Sequence, residues 1–217
     1  MAVRNIMNAL HQPAGFGCID VIRYFSSLPV FPNFQINHNQ VIEMITTDNF
    51  KIVNTVKDDL DKVVWLFEQA MELQGKNGYK VWTGIDKITL EKDIENGLQY
   101  KIVMDNDILC IFSIQHNDPF IWRDRDQSDA IYLHRIVVNP HFKGQRQFEK
   151  VLHWAKLFAR RNNLKFVRMD TWADNEKIID YYKSFGFEFI EYYKTTHAPE
   201  LPIQNRDLNV ALLELAL

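Results

Sequence analysis

The sequence predicts a mixed α/β domain built on one largely antiparallel sheet that contains a single parallel strand pair. Three observations lead there. "QYKIVMDNDILCIFSIQ" is two apolar runs around an Asp-Asn-Asp turn, which is a hairpin signal. "AIYLHRIVVNP" follows as a third strand, rich in β-branched residues and stopped by Pro140. A long amphipathic helix and a further strand come next, and a strand–helix–strand crossover of that kind joins parallel neighbours.

The elements read in order from Phe50. "FKIVNTV" alternates as a half-buried strand does. "DDLDKVVWLFEQAMELQG" is a helix. Asp58 and Asp59 suit its electropositive start and Gly75 its end. Its apolar stripe includes Leu60, Val63, Val64, Phe67, Ala70 and Met71. "DKITLEKDIENG" is a shorter helix ending at Gly97. After the hairpin, "DPFIWRDRDQSD" is a polar connection to the strand at Ala130. "QFEKVLHWAKLFARRNN" places Phe148, Val151, Leu152, Ala155, Phe158 and Ala159 at helical spacing. "LKFVRMDTW" is a strand, "DNEKIIDYYKSFG" a helix stopped at Gly186, and "FEFIEYYKT" and "RDLNVALLELAL" closing strands. There is no internal repeat.

The 217 residues suit one domain with an appendage. Residues 1–45 mix Pro, Gly and aromatics without sustained periodicity and are expected to form an N-terminal extension or arm. Either they are an upstream extension absent from the native product, or an arm that packs on the domain or on a second subunit. Residues 46–217 are expected to be the folded domain. A net charge of -3 argues against a nucleic-acid binder, whose footprint is a basic face. Cys18 and Cys110 lie far apart, which fits free thiols in a reducing compartment. No apolar run approaches the ~20 residues that span a bilayer. His11, Gln12 and Pro13 interrupt the N-terminal apolar stretch, which makes a poor signal peptide. A cytoplasmic protein with no membrane and no nucleic-acid partner is the expectation. His116, His141 and His153 show no ligand-like pairing, so no metal site is expected.

Two stretches carry a resemblance. "LHRIVVNPHFKGQ" is similar to the pattern L-x-V-x-P-x-x-[RQ]-G-x-G, and "DNEKIIDYYKSFGF" to N-x-x-A-x-x-F-Y-x-x-x-G-F. On these the chain resembles the GNAT family of N-acetyltransferases. The resemblance implies a mostly antiparallel sheet with a central splayed parallel pair, ending near Val138 and Thr171, and helices on both faces. It implies transfer of an acetyl group from acetyl-CoA to a primary amine of a small molecule or peptide. The pantetheine arm would bond to the backbone of Ile136, Val137 and Val138. The pyrophosphate would rest on backbone N–H groups of Lys143, Gly144, Gln145, Arg146, Gln147 and Phe148, at a helix N-terminus where unpaired donors and the helix dipole attract anions. The family often dimerises, so the resemblance leaves room for a homodimer.

The loop departs from the pattern [RQ]-x-x-G-x-[GA]. Aligned on Val151 and Leu152, its first position is Lys143, and its two glycine positions fall on Arg146 and Phe148. Backbone donors survive such a change, and Arg146 and Lys143 can add charge to the site. Alternatively, the side chains at 146 and 148 fill the space of the phosphates. A non-catalytic module for ligand sensing or protein contact is the competing reading.

Amine acetylation needs a proton taken from the amine and a proton given to the departing sulfur. The resemblance assigns the second role to Tyr182. The residues alone put Tyr182 on the stripe Asn175, Ile178, Ile179, Tyr182 and Phe185, where a core aromatic also fits. Tyr181 points about a quarter turn away and is the weaker candidate. Asn175 either bonds the cofactor arm or caps its helix. His134 is a candidate base, with Asp170 a second, and water alone a third. Alternation places His134 with Ile136 and Val138, and Arg135 with Leu133 and Val137. Acceptor recognition is expected from Tyr79, Trp82, Trp122, Arg123, Asp124, Arg125 and Asp126.

Overall fold

The computed structural model describes residues 50–78, 81, 84–201 and 205–217. The arm at residues 1–45, Cys18, Tyr79 and Trp82 lie outside the described residues.

Among the described residues, seven strands form one sheet in the order β1-β2-β3-β4-β5-β7-β6. They are β1 (Phe50–Asn54), β2 (Gln99–Met104), β3 (Asp107–Gln115), β4 (Ala130–Val138), β5 (Phe166–Trp172), β6 (Glu188–Lys194) and β7 (Asn209–Ala216). Every neighbouring pair is antiparallel except β4 and β5. The α-helices among the described residues are α1 (Leu60–Lys76), α2 (Lys87–Glu95), α3 (Pro119–Trp122), α4 (Gln147–Arg161) and α5 (Glu176–Lys183). The expected mixed α/β sheet with one parallel pair is what the chain forms. None of the described helices is long and apolar enough to cross a membrane.

Alternate residues of the central strands feed two cores, as a sheet covered on both faces requires. On one face, α1 and α2 bury Val63, Leu66, Phe67, Leu90 and Ile94 against Ile111 and Val137. The α2 helix starts where Asp86 caps it, accepting from the Thr89 N–H at 3.0 Å. The short α3 extends this face, with Ile121 and Trp122 packed on Tyr132, Val210 and Leu212. On the other face, α4 and α5 bury Val151, Leu152, Ala155, Ala159 and Ile179 against Leu133, Val167, Met169 and Leu213.

"DPFIWRDRDQSD" is therefore more than a polar connection. Its apolar residues make α3, and most of its charged groups bond within the chain. Arg168, in β5 and 4 % exposed, donates to Glu214 at 2.7 Å, to the Arg125 carbonyl at 2.7 Å and to the Tyr132 hydroxyl at 3.0 Å. Arg123 and Arg125 both reach Glu191 of β6, at 2.6 and 3.2 Å. These contacts bind the connection to the sheet.

Candidate active site

The parallel ladder between β4 and β5 ends at Leu133 opposite Met169, although β4 runs on to Val138 and β5 to Trp172. The strands part there and leave a gap whose β4 wall is His134 to Val138. On its other side β4 still pairs with β3, but with a skip. Ser113 faces His134 and Ile111 faces Val137, so Arg135 and Ile136 together oppose Phe112. That is a β-bulge, and Arg135 takes a left-handed φ of 50° to make it.

The bulge breaks the expected alternation at Leu133 and His134, which exchange faces, while Arg135 stays with Val137 and Ile136 with Val138 as expected. Ile136 and Val138 pack with Leu133 in the core under α4 and α5. Val137 packs under α1, and Arg135 pairs with Asp93 of α2. His134 meets Asp118, at the start of α3. His134 and Arg135, consecutive in sequence, thus both serve the face of α1, α2 and α3. An extra residue in the strand puts two neighbours on one side.

His134 stands between two carboxylates. Its Nε2 lies 3.3 Å from Asp118 Oδ2 and its Nδ1 3.5 Å from Asp170 Oδ1. All three side chains are largely buried. Among the described residues, neither of those oxygens has another partner. Asp118 is placed by its own N–H, which donates to Asp126 Oδ2 at 2.8 Å. The Tyr132 hydroxyl donates to the other Asp126 oxygen at 2.8 Å, and Arg168 donates to that hydroxyl. Burial alone would lower the His134 pKa, but Asp118 and Asp170 outweigh it and hold it above the ordinary value. Burial pushes the Asp170 carboxyl up to about 6, with Asp118 adding to the rise and His134 opposing it.

Ligand-capable atoms of Asp118, His134 and Asp170 lie within 4.8 Å of one another. However, the carboxylates face opposite ring nitrogens. A metal ion about 2 Å from one nitrogen and its carboxylate would stand away from the other carboxylate. The set suits shared protons better than an ion.

Beside it runs a second buried polar group. Asp93 accepts from Arg135 and from Gln115 Nε2, the latter at 3.2 Å. Arg135 Nε donates to Ser113 Oγ at 3.2 Å, and Ser113 donates to Gln99. Burial pushes the Asp93 carboxyl up despite the guanidinium beside it.

Past Val138 the chain makes a turn over Pro140–Phe142 and enters α4. Gly144 has φ 82° and Arg146 φ 52°, so the arginine holds a left-handed conformation that favours glycine. Its guanidinium turns onto Glu149, with Nε 2.6 Å from the carboxylate, and stays exposed. Phe148 is buried and points inward, its ring 4.8 Å from Tyr182 and 5.0 Å from Phe185. Neither side chain occupies the loop's donors: among the described residues, the N–H groups of Gly144 to Phe148 donate to no backbone carbonyl. Gln147 is 3 % exposed, and its Oε1 and Nε2 both lack a partner among those residues. A buried primary amide left unpaired at a helix N-terminus fits a polar ligand. The loop residues thus suit a phosphate-bearing cofactor.

Tyr182 extends from α5 into the core shared with α4 and is half-buried. Burial holds its phenol pKa well above the ordinary value, with Tyr181, Cys110 and Asp170 adding to the rise, so it keeps its proton at neutral pH. Tyr181 is 41 % exposed. Asn175 caps α5, its Oδ1 accepting from the Ile178 N–H at 3.2 Å.

The sequence model of the Acetyltransferase (GNAT) family matches residues 69–187. The chain belongs to the GNAT acetyltransferase family. An uncharacterised N-acetyltransferase of Bacillus subtilis strain 168, YesJ, is 25 % identical over 151 residues, 66 % of this chain and 84 % of the relative. Another, MJ1207 of Methanocaldococcus jannaschii, is 24 % identical over 164 residues, 71 % of this chain and 67 % of the relative. Among solved structures, a GNAT-family acetyltransferase from Listeria monocytogenes superposes with a TM-score of 0.65 at 21 % identity, covering 77 % of this chain and 95 % of the other.

This GNAT domain brings His134 and Asp170 together and groups Arg146, Gln147 and Phe148 at the start of α4. It also recruits groups that pattern reading passed over. Asp118 and Asp93 come from separate elements and reach the bulge only through the fold. The sole signal for Asp118 was its place before Pro119, where a helix start is favoured. Trp122, expected to recognise the acceptor, is fully buried against Tyr132 and is a core residue of this GNAT sheet. Arg123, Arg125 and Asp126 are likewise engaged within the chain.

Proposed function

We propose that this GNAT domain transfers the acetyl group of acetyl-CoA to a primary amine of a small molecule or peptide. The gap between β4 and β5 carries this reading. It exposes unpaired strand backbone beside a loop of free N–H donors, and proton-handling side chains flank it from both faces of the sheet. Acetyl-CoA supplies an acetyl group activated as a thioester. The backbone of Ile136, Val137 and Val138 holds the cofactor arm, as an added strand would be held. The N–H groups of Gly144 to Phe148, with the Gln147 amide, hold the pyrophosphate at the α4 N-terminus. The Lys143 N–H is committed to the Pro140 carbonyl, so Lys143 offers only its side-chain charge. Arg146 swings from Glu149 to add charge. Asn175 offers only its amide NH₂, because its oxygen is committed to the α5 cap. Tyr182, the general acid, keeps its proton until the sulfur departs. The Asp118–His134–Asp170 group takes the proton from the amine.

Calorimetric and thermal titration with acetyl-CoA tests the binding half. Excess ligand at ~100 times the dissociation constant stabilises the fold by about 2.7 kcal/mol. No response at millimolar ligand would instead favour the non-catalytic module. Tyr182→Phe tests the chemistry. At saturating acetyl-CoA it should slow acetylation by about tenfold or more, and an unchanged rate removes Tyr182 from the mechanism.

A further inference from the structure

We propose that Asp170 is the general base of this site, and that His134, fixed by Asp118, positions it rather than touching the amine. The inference rests on the acetyl-transfer reading above and adds the atom to which the proton goes.

Three observations support it. First, each ring nitrogen of His134 already faces a carboxylate, Asp118 on one side and Asp170 on the other. No nitrogen is left to face an amine. Second, Asp170 follows Met169, the last β5 residue paired with β4, so it is the first β5 side chain at the mouth of the gap. It shares a strand face with Arg168, whose side chain packs on Trp122 of α3, and so looks toward the α1–α3 side. Asp118 is the more enclosed, its side chain 10 % exposed against 17 % for Asp170, and its backbone is tied to Asp126. Third, Tyr182 packs in the core on the opposite face, under α4 and α5, against the cluster that holds Met169, the β5 neighbour of Asp170. Proton donor and proton acceptor therefore flank one gap from its two sides.

The step balances as follows. The acceptor ammonium gives one proton to Asp170. The freed lone pair forms a C–N bond at the thioester carbonyl carbon, and the second amine proton leaves to water. The C–S bond breaks, and the sulfur takes the Tyr182 hydroxyl proton. Water reprotonates Tyr182 and deprotonates Asp170. One amide, one free thiol and one released proton result.

Asp170 faces His134 from β4 and lies within 4.8 Å of Asp118 at the start of α3, with Arg135 and Asp93 beyond His134 and Tyr182 of α5 adding an electrostatic interaction. Of these, the His134 cation is the group that lowers the Asp170 pKa. His134→Gln removes that cation and should move Asp170's titration to higher pH.

Difference infrared spectra of the full chain, taken from about pH 4 to 8, read the carboxyl directly. A protonated-carboxyl band should titrate at about 6 in the wild type, vanish in Asp170→Asn and shift upward in His134→Gln. If no band is lost in Asp170→Asn, or none shifts in His134→Gln, the proposal fails, whatever the acceptor. Kinetics supply the second arm, with phenethylamine and its less basic β,β-difluoro analogue as probes. Asp170→Asn should lower kcat/KM for phenethylamine about 100-fold, spare the fluorinated amine by comparison, and abolish the acid limb of the pH profile. Equal losses for both amines with the acid limb retained would overturn the proposal. Acetyl-CoA binding, measured on each variant, checks folding. Its absence in the wild type would instead count against the acetyl-transfer reading.

Discussion

Arg146 holds a backbone conformation that a Cβ disfavours by about 1 kcal/mol. Its exposed pair with Glu149 returns only ~0.5 kcal/mol. Arg146→Gly should therefore leave stability unchanged or raise it by up to about 1 kcal/mol, as urea denaturation would show. A loss instead would mean that the arginine braces the loop. The replaced glycine was visible in the sequence, and so was the inward face of Phe148, because that residue sits on an unbroken apolar stripe. Where the guanidinium turns was not visible. That choice lies between rotamers of one exposed side chain, and no spacing rule reports it. The same limit hid the bulge at Arg135. A glycine would have marked the left-handed residue, whereas an arginine held there by Asp93 leaves the strand pattern looking regular.

At the level of elements, strands and long helices were legible because hairpin turns, β-branched runs and helical spacing are local signals. The connection carrying α3 was not. Its charges read as solvated, yet they close within the chain: Asp129 pairs with Arg168, Asp126 accepts from Tyr132, and Arg123 pairs with Glu191. Arg168 is the hub of that closure. Arg168→Ala leaves Glu214 and Tyr132 without their cationic partner and should cost about 3 to 5 kcal/mol, measured by chemical denaturation. The change should also loosen Asp118, since Arg168 steadies it through Tyr132 and Asp126. A loss below about 1 kcal/mol, the range of an exposed pair, would demote Arg168 to a surface contact.

Over the whole molecule, the buried acids set the response to pH. Folded Asp170 keeps its proton up to about 6 against an ordinary 3.8, so between those values the folded chain binds more protons than the unfolded one. Stability must then fall as pH rises through that window. Asp93, also raised by burial, acts with the same sign. His134, raised as well, contributes stability that is present below its ordinary 6.5 and is lost as pH passes its higher folded value. Asp170→Asn should flatten the fall between 3.8 and about 6, seen by urea denaturation on either side of the window. A slope identical to wild type would place the effect on other groups. The burial of Phe148 has its own consequence at this scale. Its ring packs on Tyr181, Tyr182, Phe185 and Phe187, so the first turn of α4 is clamped to the last turn of α5 and the residues after it through one side chain. A small residue there would let the two helices slide independently. With phenylalanine they form one lever, and whatever draws the start of α4 towards a ligand carries the Tyr182 hydroxyl with it.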